Sequence, residues 1–323
     1  MRTSQQGFTL IELMVSLVLG LIIVAAATML FIAGQKSLAL QQGAADIQDN
    51  ANFALNYITK DVRMANLNNS TATMNASLAN GGIVFSTTNL AGISTANVSQ
   101  SAVSGTSNVT TGSDQLTIQY LPTQSQIDNG LFDCEGTQVQ FIDPVAKTIP
   151  FVVERYFVRQ DDNLNSNETS ATALALACDA GRATSAGIMT FSPASSSLNF
   201  GLNGQIIMKR VDYFRVLLTV QNSAGSLRDM SISDYVTNAP TARILGVKIG
   251  LLARSSQSVG IDSNINLAKK FAILDKSPNP ANPSDQSSDQ SVTLNSTIQS
   301  ATTKNLRQVV IQTIAIRNAL GDK

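Results

Sequence analysis

The sequence predicts an α+β protein in which one long N-terminal helix is followed by a head of antiparallel strands. Three observations predict this class. An apolar stretch near the N-terminus continues into an amphipathic one, later stretches have strand-like composition, and no second series of helical patterns follows. The chain of 323 residues is 43% hydrophobic, which is enough for a core of ordinary size.

The first element is an apolar segment of membrane-spanning length. No charged residue occurs from Leu13 to Gly34, and the first one after Glu12 is Lys36. As an α-helix this stretch would extend for about 33 Å, which matches the hydrocarbon core of a bilayer. A secretory signal peptide has a shorter apolar core, so the length favours a transmembrane helix. Arg2 is the only positive charge before it, which is a weak positive-inside signal.

The second element continues the helix beyond the apolar segment. Apolar residues recur every three or four positions, and charged residues fall between them. The apolar set is Ile47, Ala51, Ala54 or Leu55, Ile58, Val62 and Ala65, and the charged set is Asp46, Asp49, Lys60, Asp61 and Arg63. We expect one helix of about 60 residues that ends near Leu67. The alternative is a membrane anchor followed by a separate helix, with Gly43 as the joint.

The remaining chain predicts strands and two long polar segments. The expected strands are DQLTIQYL, TQVQFI, TIPFVVERYFVRQ, ATALALAC, QIIMKRVDYFRVLLTV, ARILGVKIGLLARSS and NLRQVVIQTIAIRNAL. The last one alternates imperfectly, and a β-bulge near Gln312 and Thr313 would reconcile its pattern. Residues 66–114 are expected to be loop or weakly ordered edge, and residues 277–303 a long exposed loop.

Composition argues against enzymatic chemistry. The chain has no histidine, which removes the most common general base and every His-containing metal site. The sequence also lacks a phosphate loop, a dinucleotide-binding glycine motif and a nucleophile elbow. We therefore expect no enzyme, no catalytic residue and no cofactor.

One segment resembles the start of a calcium-binding loop in its ligand types. Asp161, Asn163, Asn165 and Asn167 occupy alternate positions. The glycine needed at the sixth position is missing, and Thr172 stands where an acidic twelfth ligand would be required. The sequence therefore favours a solvated hairpin loop and no metal site.

Basic residues are concentrated in the later strands, although the total charge is balanced. The 22 Lys and Arg residues cancel 22 Asp and Glu residues, so the net charge does not favour nucleic acid. The later basic residues are Lys209, Arg210, Arg243, Lys248, Arg254, Lys304, Arg307 and Arg317. Since no aromatic residues are interleaved with them, a solvated sheet face is favoured and no nucleic-acid partner is expected.

The two cysteines, Cys134 and Cys178, permit two interpretations. In an oxidising compartment they would form one disulfide, which the chain-entropy estimate values at roughly 4 kcal/mol for a loop of this length. In a reducing cytosol they would be two buried thiols. The compartment decides between the two, and the N-terminal segment sets the compartment.

The stretch GFTLIE resembles the processing site of type IV pilins and of the pseudopilins of type II secretion. In that family a prepilin peptidase cleaves after the glycine on the cytoplasmic side, and the new N-terminal residue is N-methylated. The resemblance implies that Gly7 ends a leader, that Phe8 is the methylated residue, and that Glu12 pairs with the N-terminal amine of a neighbouring subunit. A carboxylate inside a bilayer is costly without a partner, which supports a role for Glu12. The alternative is that Glu12 lies shallow enough to reach the membrane surface.

Later stretches narrow the resemblance to the PilW group of minor pilins. ALNYITKDVRMAN, SDQLTIQY and the strands ending in LLARSS and AIRN are similar to that group, and residues 21–33 lack the proline that major pilins commonly carry there. The resemblance implies a type IV pilin-like fold. Its expected parts are a leader at 1–7, a transmembrane helix at 8–34, an amphipathic helix at 35–67 and a periplasmic head at 68–323.

The same resemblance implies a minor pilin that takes part in type IV pilus assembly at or near the tip, supporting twitching motility and adhesion. Implied partners are other minor pilins, the major pilin, a PilY-type tip adhesin and prepilin peptidase. The implied location is the inner membrane with a single span, and the pilus tip after assembly. An oxidising periplasm favours the Cys134–Cys178 disulfide. The alternatives are a minor pseudopilin of the GspJ type and a membrane-anchored periplasmic DNA receptor.

Overall fold

A computed structural model of the chain describes residues 7–165, 168–193, 196–259, 265–274, 291–301 and 304–321. It confirms the predicted α+β class, because a long N-terminal helix precedes strands that pair antiparallel throughout these ranges. Three predictions fall wholly or partly outside the described residues. They concern the leader, of which only Gly7 is described, Asn167, and most of the expected loop at 277–303.

The N-terminal helix, α1 (Leu10–Val62), has 53 residues and a length of about 80 Å. It continues through Gly43, so the apolar and amphipathic parts form one helix. The helix ends before the predicted position at Leu67, since residues 63–68 form turns. Asn66 has a left-handed φ of 63°, which is incompatible with a continuing right-handed helix.

The two halves of α1 have different surroundings. Residues 7–38 are all exposed, and α1 is the one described helix that is long and apolar enough to cross a membrane. The expected apolar face of the second half is at most 4% exposed and consists of Ile47, Ala51, Ala54, Leu55, Ile58, Val62 and Ala65. This confirms the predicted amphipathic pattern, because one face of the second half packs on the head.

The head contains twelve strands and three short helices among the described residues. The strands are β1 (Gln100–Val103), β2 (Ser113–Tyr120), β3 (Phe151–Gln160), β4 (Leu174–Thr184), β5 (Gly187–Ile188), β6 (Gln205–Lys209), β7 (Val211–Gln221), β8 (Leu227–Ser231), β9 (Arg243–Arg254), β10 (Phe271–Ala272), β11 (Ser291–Val292) and β12 (Arg307–Ala315). The helices are α2 (Gln124–Asp128), α3 (Ile232–Asn238) and α4 (Ser296–Gln299). These helices were not predicted, because segments this short show too little periodicity.

Two antiparallel sheets form the head, where the sequence suggested one. The first has the order β1–β2–β3–β4–β5, with β6 also paired to β4. The second has the order β12–β9–β7–β8, and β10 pairs separately with β11. Helix α1 contacts β12, β9 and β6, and the main hydrophobic core contains residues from α1 and both sheets.

The stretch QIIMKRVDYFRVLLTV forms two strands in different sheets rather than one strand. Arg210 lies between β6 and β7 with a left-handed φ of 61°, and the chain changes sheets there. The Arg210 guanidinium lies 2.6 Å from Asp161 Oδ2 and 2.8 Å from Glu168 Oε2. These buried ion pairs support a backbone conformation that residues other than glycine rarely adopt. A continuous β-branched pattern contains no signal for this turn.

The last strand, β12, has no bulge. It pairs with β9 in one continuous register, so the bulge expected near Gln312 and Thr313 is wrong. Val310 and Ile314 face the main core, whereas Val309 packs in a second cluster on the opposite face of the sheet. Apolar residues on both faces explain the imperfect alternation.

The predicted strand TQVQFI does not form. Its residues make loops, with an isolated bridge between Phe132 and Gln138. Val139 is nevertheless buried and packs with Tyr120 and Ile127. The apolar residues of this stretch therefore anchor a loop on the head instead of extending a sheet.

Residues 66–114 are a packed part of the head, which corrects the expectation of a weakly ordered edge. Ile83, Val84 and Phe85 are buried. The Asn89 amide donates to the carbonyl oxygens of residues 75, 76 and 78 and accepts a hydrogen bond from Phe85 N at 2.9 Å. Buried asparagine amides here replace the hydrogen bonds of regular structure, so an Asn-rich composition does not mean disorder.

The described part of the expected loop at 277–303 also enters the core. Residues 291–301 contain β11 and α4. Val292, Leu294 and Ile298 are buried in the second cluster, together with Phe271 of β10. For these residues the expectation of an exposed loop is wrong.

Candidate functional site

The candidate functional site lies at the start of α1. Gly7 and Phe8 precede the helix, and Phe8 is 89% exposed. Apart from its chain neighbours, no described heavy atom lies within 4 Å of where a side chain at Gly7 would begin. None of the described residues therefore covers the peptide bond between Gly7 and Phe8.

Glu12 and Thr9 form a capping box at the N-terminus of α1. Thr9 is extended, with φ −73° and ψ 149°. Glu12 Oε2 accepts hydrogen bonds from Thr9 N at 3.0 Å and Thr9 Oγ1 at 2.9 Å, and Thr9 Oγ1 accepts one from Glu12 N at 3.3 Å. These bonds satisfy helix donors that otherwise lack partners. The T-x-x-E spacing is the sequence signature of this arrangement, which the sequence-based expectations overlooked.

The capping box leaves part of Glu12 available to a partner. Both hydrogen bonds from Thr9 end on Oε2, and none of the described residues donates to Oε1. The surrounding side chains Ile11 and Val15 are 69% and 53% exposed. An exposed apolar surface with a carboxylate oxygen at its start can receive a cationic group from outside the chain.

Cys134 and Cys178 form a disulfide with their Cα atoms 6.1 Å apart. Of the two interpretations that the sequence allowed, the structure contains the oxidised one. The disulfide joins the loop before β3 to β4, and both cysteines belong to the main core. It is a cross-link between two parts of the head on which α1 packs.

Three carboxyl groups that the sequence did not single out lie buried near the disulfide. Glu154 is 0% exposed, and Asp61 and Asp133 are each 3% exposed. Arg182 Nη2 lies 2.6 Å from Asp133 Oδ2 and neutralises that carboxylate. Cys134 N donates to Glu154 Oε1 at 3.0 Å, whereas Glu154 Oε2 has no hydrogen-bond partner in the described chain.

Burial raises the pKa of two of these carboxyl groups. The pKa of Asp61 rises to about 6 because of burial, although the hydrogen bond from Tyr156 and the charge of Lys60 oppose the shift. Burial also raises the pKa of Glu154 well above its usual value, and the neighbouring Asp61 and Asp133 carboxyl groups add to the effect. Burial therefore favours the protonated forms of the Asp61 and Glu154 carboxyl groups in the folded state.

The segment that resembled a calcium loop has a structural role. The segment joins the antiparallel strands β3 and β4, and residues 162–164 are exposed, as expected for a solvated hairpin loop. Asp161 is the exception, because it is fully buried and its carboxylate contacts Arg210. Asn165 Nδ2 donates to Ser256 O at 2.8 Å, which ties this segment to the end of β9. Among the described residues, no group of three or more acidic or cysteine side chains could hold a metal ion.

Within the described residues, five of the eight later basic residues are engaged in ion pairs, and three of these, Arg210, Arg254 and Arg307, are buried, so the expected solvated basic face is wrong for these three. The pairs are Arg210 with Asp161 and Glu168, Arg254 with Glu168 and Asp212, Arg307 with Asp212, and the more exposed Lys209 with Asp161 and Lys248 with Asp229. Arg254 and Arg307 each have side chains 4% exposed. These charges are neutralised inside the head and are not available to a phosphate backbone.

Comparison with known proteins gives a family match for the N-terminal segment. The family model for the prokaryotic N-terminal methylation motif matches residues 2–28, which include Gly7, Phe8 and Glu12. No curated protein matches the sequence. Among solved structures, a type IV-like pilin from Thermus thermophilus is similar over 84% of this chain and 96% of its own, with 10% identity and a TM-score of 0.34.

The fold class rests on the helix and the sheets of this chain, and the motif rests on residues 2–28. Gly7, Phe8 and Glu12 stand together at the exposed start of α1. The chain therefore carries a prokaryotic N-terminal methylation motif at the start of a long apolar helix, and antiparallel sheets follow that helix.

Proposed function

We propose that this chain is a minor pilin of the PilW group that is cleaved between Gly7 and Phe8 and assembled into a type IV pilus at or near its tip. The observation that carries the proposal is the methylation motif at the start of an exposed apolar helix. The scissile bond is accessible there, and Glu12 Oε1 is open to a partner.

Processing and assembly are coupled in this proposal. Cleavage by prepilin peptidase creates an N-terminal amine on Phe8, which becomes N-methylated and keeps its positive charge. The amine of one subunit then pairs with the Glu12 carboxylate of a neighbour. In an apolar environment this pairing offsets the cost of burying either charge alone.

The remaining parts of the chain support a subunit used in few copies. Helix α1 continues from Leu10 to Val62 without a proline, so its apolar half has no built-in break. The proposed topology is a single span of the inner membrane at 8–34 with a periplasmic head at 68–323. The proposed partners are other minor pilins, the major pilin and a PilY-type tip adhesin.

The alternatives of a periplasmic enzyme or DNA receptor receive no support from the described residues. Arg254 and Arg307 are buried in ion pairs. The buried carboxyl groups Asp61 and Glu154 lie inside the core, out of reach of a substrate. A structural subunit is therefore the function that the arrangement supports best.

The first test is the N-terminus of the mature protein. We expect mass spectrometry of the chain from assembling cells to show N-methylated Phe8 as its first residue. Cells without prepilin peptidase are the control and should contain the chain with Met1 to Gly7 still attached. A mature N-terminus at any other residue contradicts the proposal.

The second test separates the pairing role of Glu12 from its capping role. Glu12→Gln removes the charge but keeps an oxygen that can accept from Thr9, whereas Glu12→Val removes both. We expect both variants to be inserted and cleaved normally and to be depleted from sheared filaments by about tenfold or more. Normal incorporation of Glu12→Gln with loss of Glu12→Val would instead assign Glu12 to helix capping alone.

Deletion of the gene distinguishes a pilus subunit from the GspJ-type pseudopilin. We expect the deletion to abolish twitching motility and to leave secretion of extracellular proteins unchanged. Re-expression of the full chain should restore motility. Loss of secretion with normal motility would assign the chain to type II secretion.

A further inference from the structure

The outer edge of the second sheet is a long strand whose only charged residue is Arg307 at its start. β12 is the last strand in the order β12–β9–β7–β8, and no described strand pairs with its outer side. The nine residues between Arg307 and Arg317 include no charged residue, proline or glycine. An edge of this kind is a template for pairing with another chain.

The register shows which backbone groups of β12 are bonded to β9. At one end, Ser255 N donates to Leu306 O at 2.9 Å, and at the other end Ile316 N donates to Leu245 O at 2.9 Å. The pairing between these two points is continuous. Because bonded positions alternate along an antiparallel strand, the even-numbered residues of β12 exchange hydrogen bonds with β9.

The odd-numbered residues therefore direct their backbone groups away from the sheet. They are Val309, Ile311, Thr313 and Ala315. Within the described chain, the hydrogen bonding of these outward groups is limited to a 3.4 Å contact from Gln312 Nε2 to Thr313 O. The outward N–H and C=O groups of these four alternate residues therefore form a row along the edge, and no described strand bonds to them.

The opposite edge of the same sheet, β8, and one edge of the first sheet, β1, differ from β12. β8 has five residues, contains Arg228 and Asp229, and continues directly into α3. β1 has four residues and an irregular register. Short, charged or irregular strands are the usual means of preventing edge pairing. β12 has nine residues in one continuous register, and its only charge is Arg307, which pairs with Asp212.

We propose that β12 is a docking edge, to which an extended, uncharged segment of a different membrane-anchored subunit adds as a further strand. This inference rests on the proposed function, because it assumes that the chain assembles with other subunits. An extended backbone satisfies the outward groups of β12. Ile311, which is 48% exposed, gives that segment an apolar contact on one face.

The direction of α1 argues against antiparallel pairing of β12 with β12 of a second copy. Near the start of β12, Ser256 N donates to Asp46 Oδ2 at 2.9 Å, and beyond its end Asn318 Nδ2 donates to Arg63 O at 3.1 Å. Helix α1 therefore runs in the same direction as β12. Antiparallel pairing of two β12 strands would point the two apolar helix halves in opposite directions, which one membrane cannot accommodate.

The experiment uses the full chain in cells that assemble filaments. Thr313 is replaced by the photo-crosslinking residue benzoylphenylalanine, and the control position is Val145, which is 95% exposed and lies in another part of the head. We expect irradiation to link position 313 to an uncharged segment of another subunit with an N-terminal methylation motif. Mass spectrometry of the linked peptides identifies that segment, and Val145 should not link to it.

Two further variants distinguish backbone pairing from apolar contact. Ile311→Pro removes an outward N–H group, which an edge strand tolerates, whereas Ile311→Ala removes side-chain atoms and keeps the N–H. We expect about tenfold less cross-linking in Ile311→Pro and a smaller loss in Ile311→Ala. Thermal unfolding of both detergent-solubilised variants should match the parent chain.

Results that contradict the edge proposal differ from those that contradict the proposed function. Cross-links from position 313 to a second copy of this chain, no cross-link in filaments that contain the chain, or cross-linking unaffected by Ile311→Pro would each overturn the edge proposal alone. If Ile311→Pro unfolds, the identity of the peptide that is cross-linked to position 313 of the parent chain decides the proposal. Absence of the parent chain from filaments would overturn the proposed function and, with it, this inference.

Discussion

At the scale of single residues, Asp61 shows how one buried carboxyl group couples the helix to the head. Its Oδ2 accepts a hydrogen bond from Tyr156 OH of β3 at 2.7 Å. Burial raises its pKa from 3.8 to about 6. Between these two values the folded state binds more protons than the unfolded chain. The free energy of unfolding therefore decreases as the pH rises from about 4 to about 6.

Asp61→Asn should remove this part of the pH dependence. The amide does not ionise and can still accept the Tyr156 hydrogen bond. We expect the variant to be more stable than the parent by roughly 1–3 kcal/mol at pH 7, and close to it near pH 4. Chemical unfolding of the detergent-solubilised chain at a series of pH values measures the difference.

The matched control is Asp49→Asn on the exposed face of the same helix. Its free energy of unfolding should change with pH as that of the parent does. In the parent and in Asp61→Asn alike, Glu154 also makes the free energy of unfolding decrease as the pH rises, because burial raises its pKa well above the usual value. If Asp61→Asn keeps the full slope between pH 4 and pH 6, Asp61 is not the group that holds the proton.

The position of Asp61 could have been derived from its spacing. Ala54, Ile58, Asp61 and Ala65 are separated by steps of four, three and four, which places Asp61 on the buried face. The prediction that Asp61 falls between the positions of the apolar face is wrong, because residue type was given more weight than periodicity. The pairing of Asp61 with Tyr156 could not be derived, since these residues are 95 positions apart.

At the scale of elements, the end of α1 is held by the C-terminal segment of the chain. Asn318 Nδ2 donates to the carbonyl oxygens of Arg63 at 3.1 Å, Met64 at 3.4 Å and Ala65 at 3.1 Å. Residues 63–65 belong to the turns that follow α1, and the last carbonyl groups of the helix are bonded locally, since Arg63 N donates to Thr59 O and Ala65 N to Val62 O, both at 3.1 Å. The Asn318 side chain therefore ties the turns after the helix to the C-terminal segment.

Asn318→Ala should loosen this end of the helix. The loss of the amide leaves partly buried carbonyl groups unsatisfied, so we expect unfolding to cost roughly 1–2 kcal/mol less than in the parent. Faster amide exchange of the last turn of α1 should accompany the loss. Arg317→Ala, at the exposed neighbouring position, is the control and should have little effect. Equal effects of the two changes would contradict this role of Asn318.

The elements differ in how well the sequence predicts them. Helix α1 was predicted well, because its apolar length and its amphipathic period are properties of neighbouring residues. The strands β2, β3, β4 and β9 were also predicted, because strand-like composition and alternation are likewise properties of neighbouring residues. TQVQFI was predicted as a strand and is a loop, since apolar alternation does not specify whether a pairing partner is present.

At the scale of the whole molecule, the disulfide and the buried ion pairs connect segments that are distant in sequence. The disulfide spans 44 positions, and Arg307 of β12 contacts Asp212 of β7 at 2.6 Å. The disulfide limits the conformations open to the unfolded chain. The ion pairs set the relative positions of the strands, because each charge is costly unless its partner is in place.

Removing the disulfide should destabilise the head without changing its fold. We expect Cys134→Ser combined with Cys178→Ser to lower the free energy of unfolding by up to about 4 kcal/mol. Reduction of the parent chain should have a similar effect, whereas reductant should not affect the double variant. Chemical unfolding with and without reductant measures both. A double variant as stable as the oxidised parent would contradict the prediction.

The sequence by itself determined the features that depend on neighbouring residues. These are the methylation motif, the membrane-spanning length, the amphipathic face of α1 and the α+β class. Each is a pattern of residue types within a short window, which physical chemistry interprets without knowledge of distant contacts.

Only the tertiary structure decided which polar residues belong to the core and which backbone edge stays open. Asp61, Glu154 and Arg307 have the composition of surface residues, yet each is buried beside a group far away in the chain. Likewise, the last strand lies at the outside of the second sheet because of the order in which strands pair. Burial and edge position are determined by contacts between distant segments, and a local pattern does not contain them.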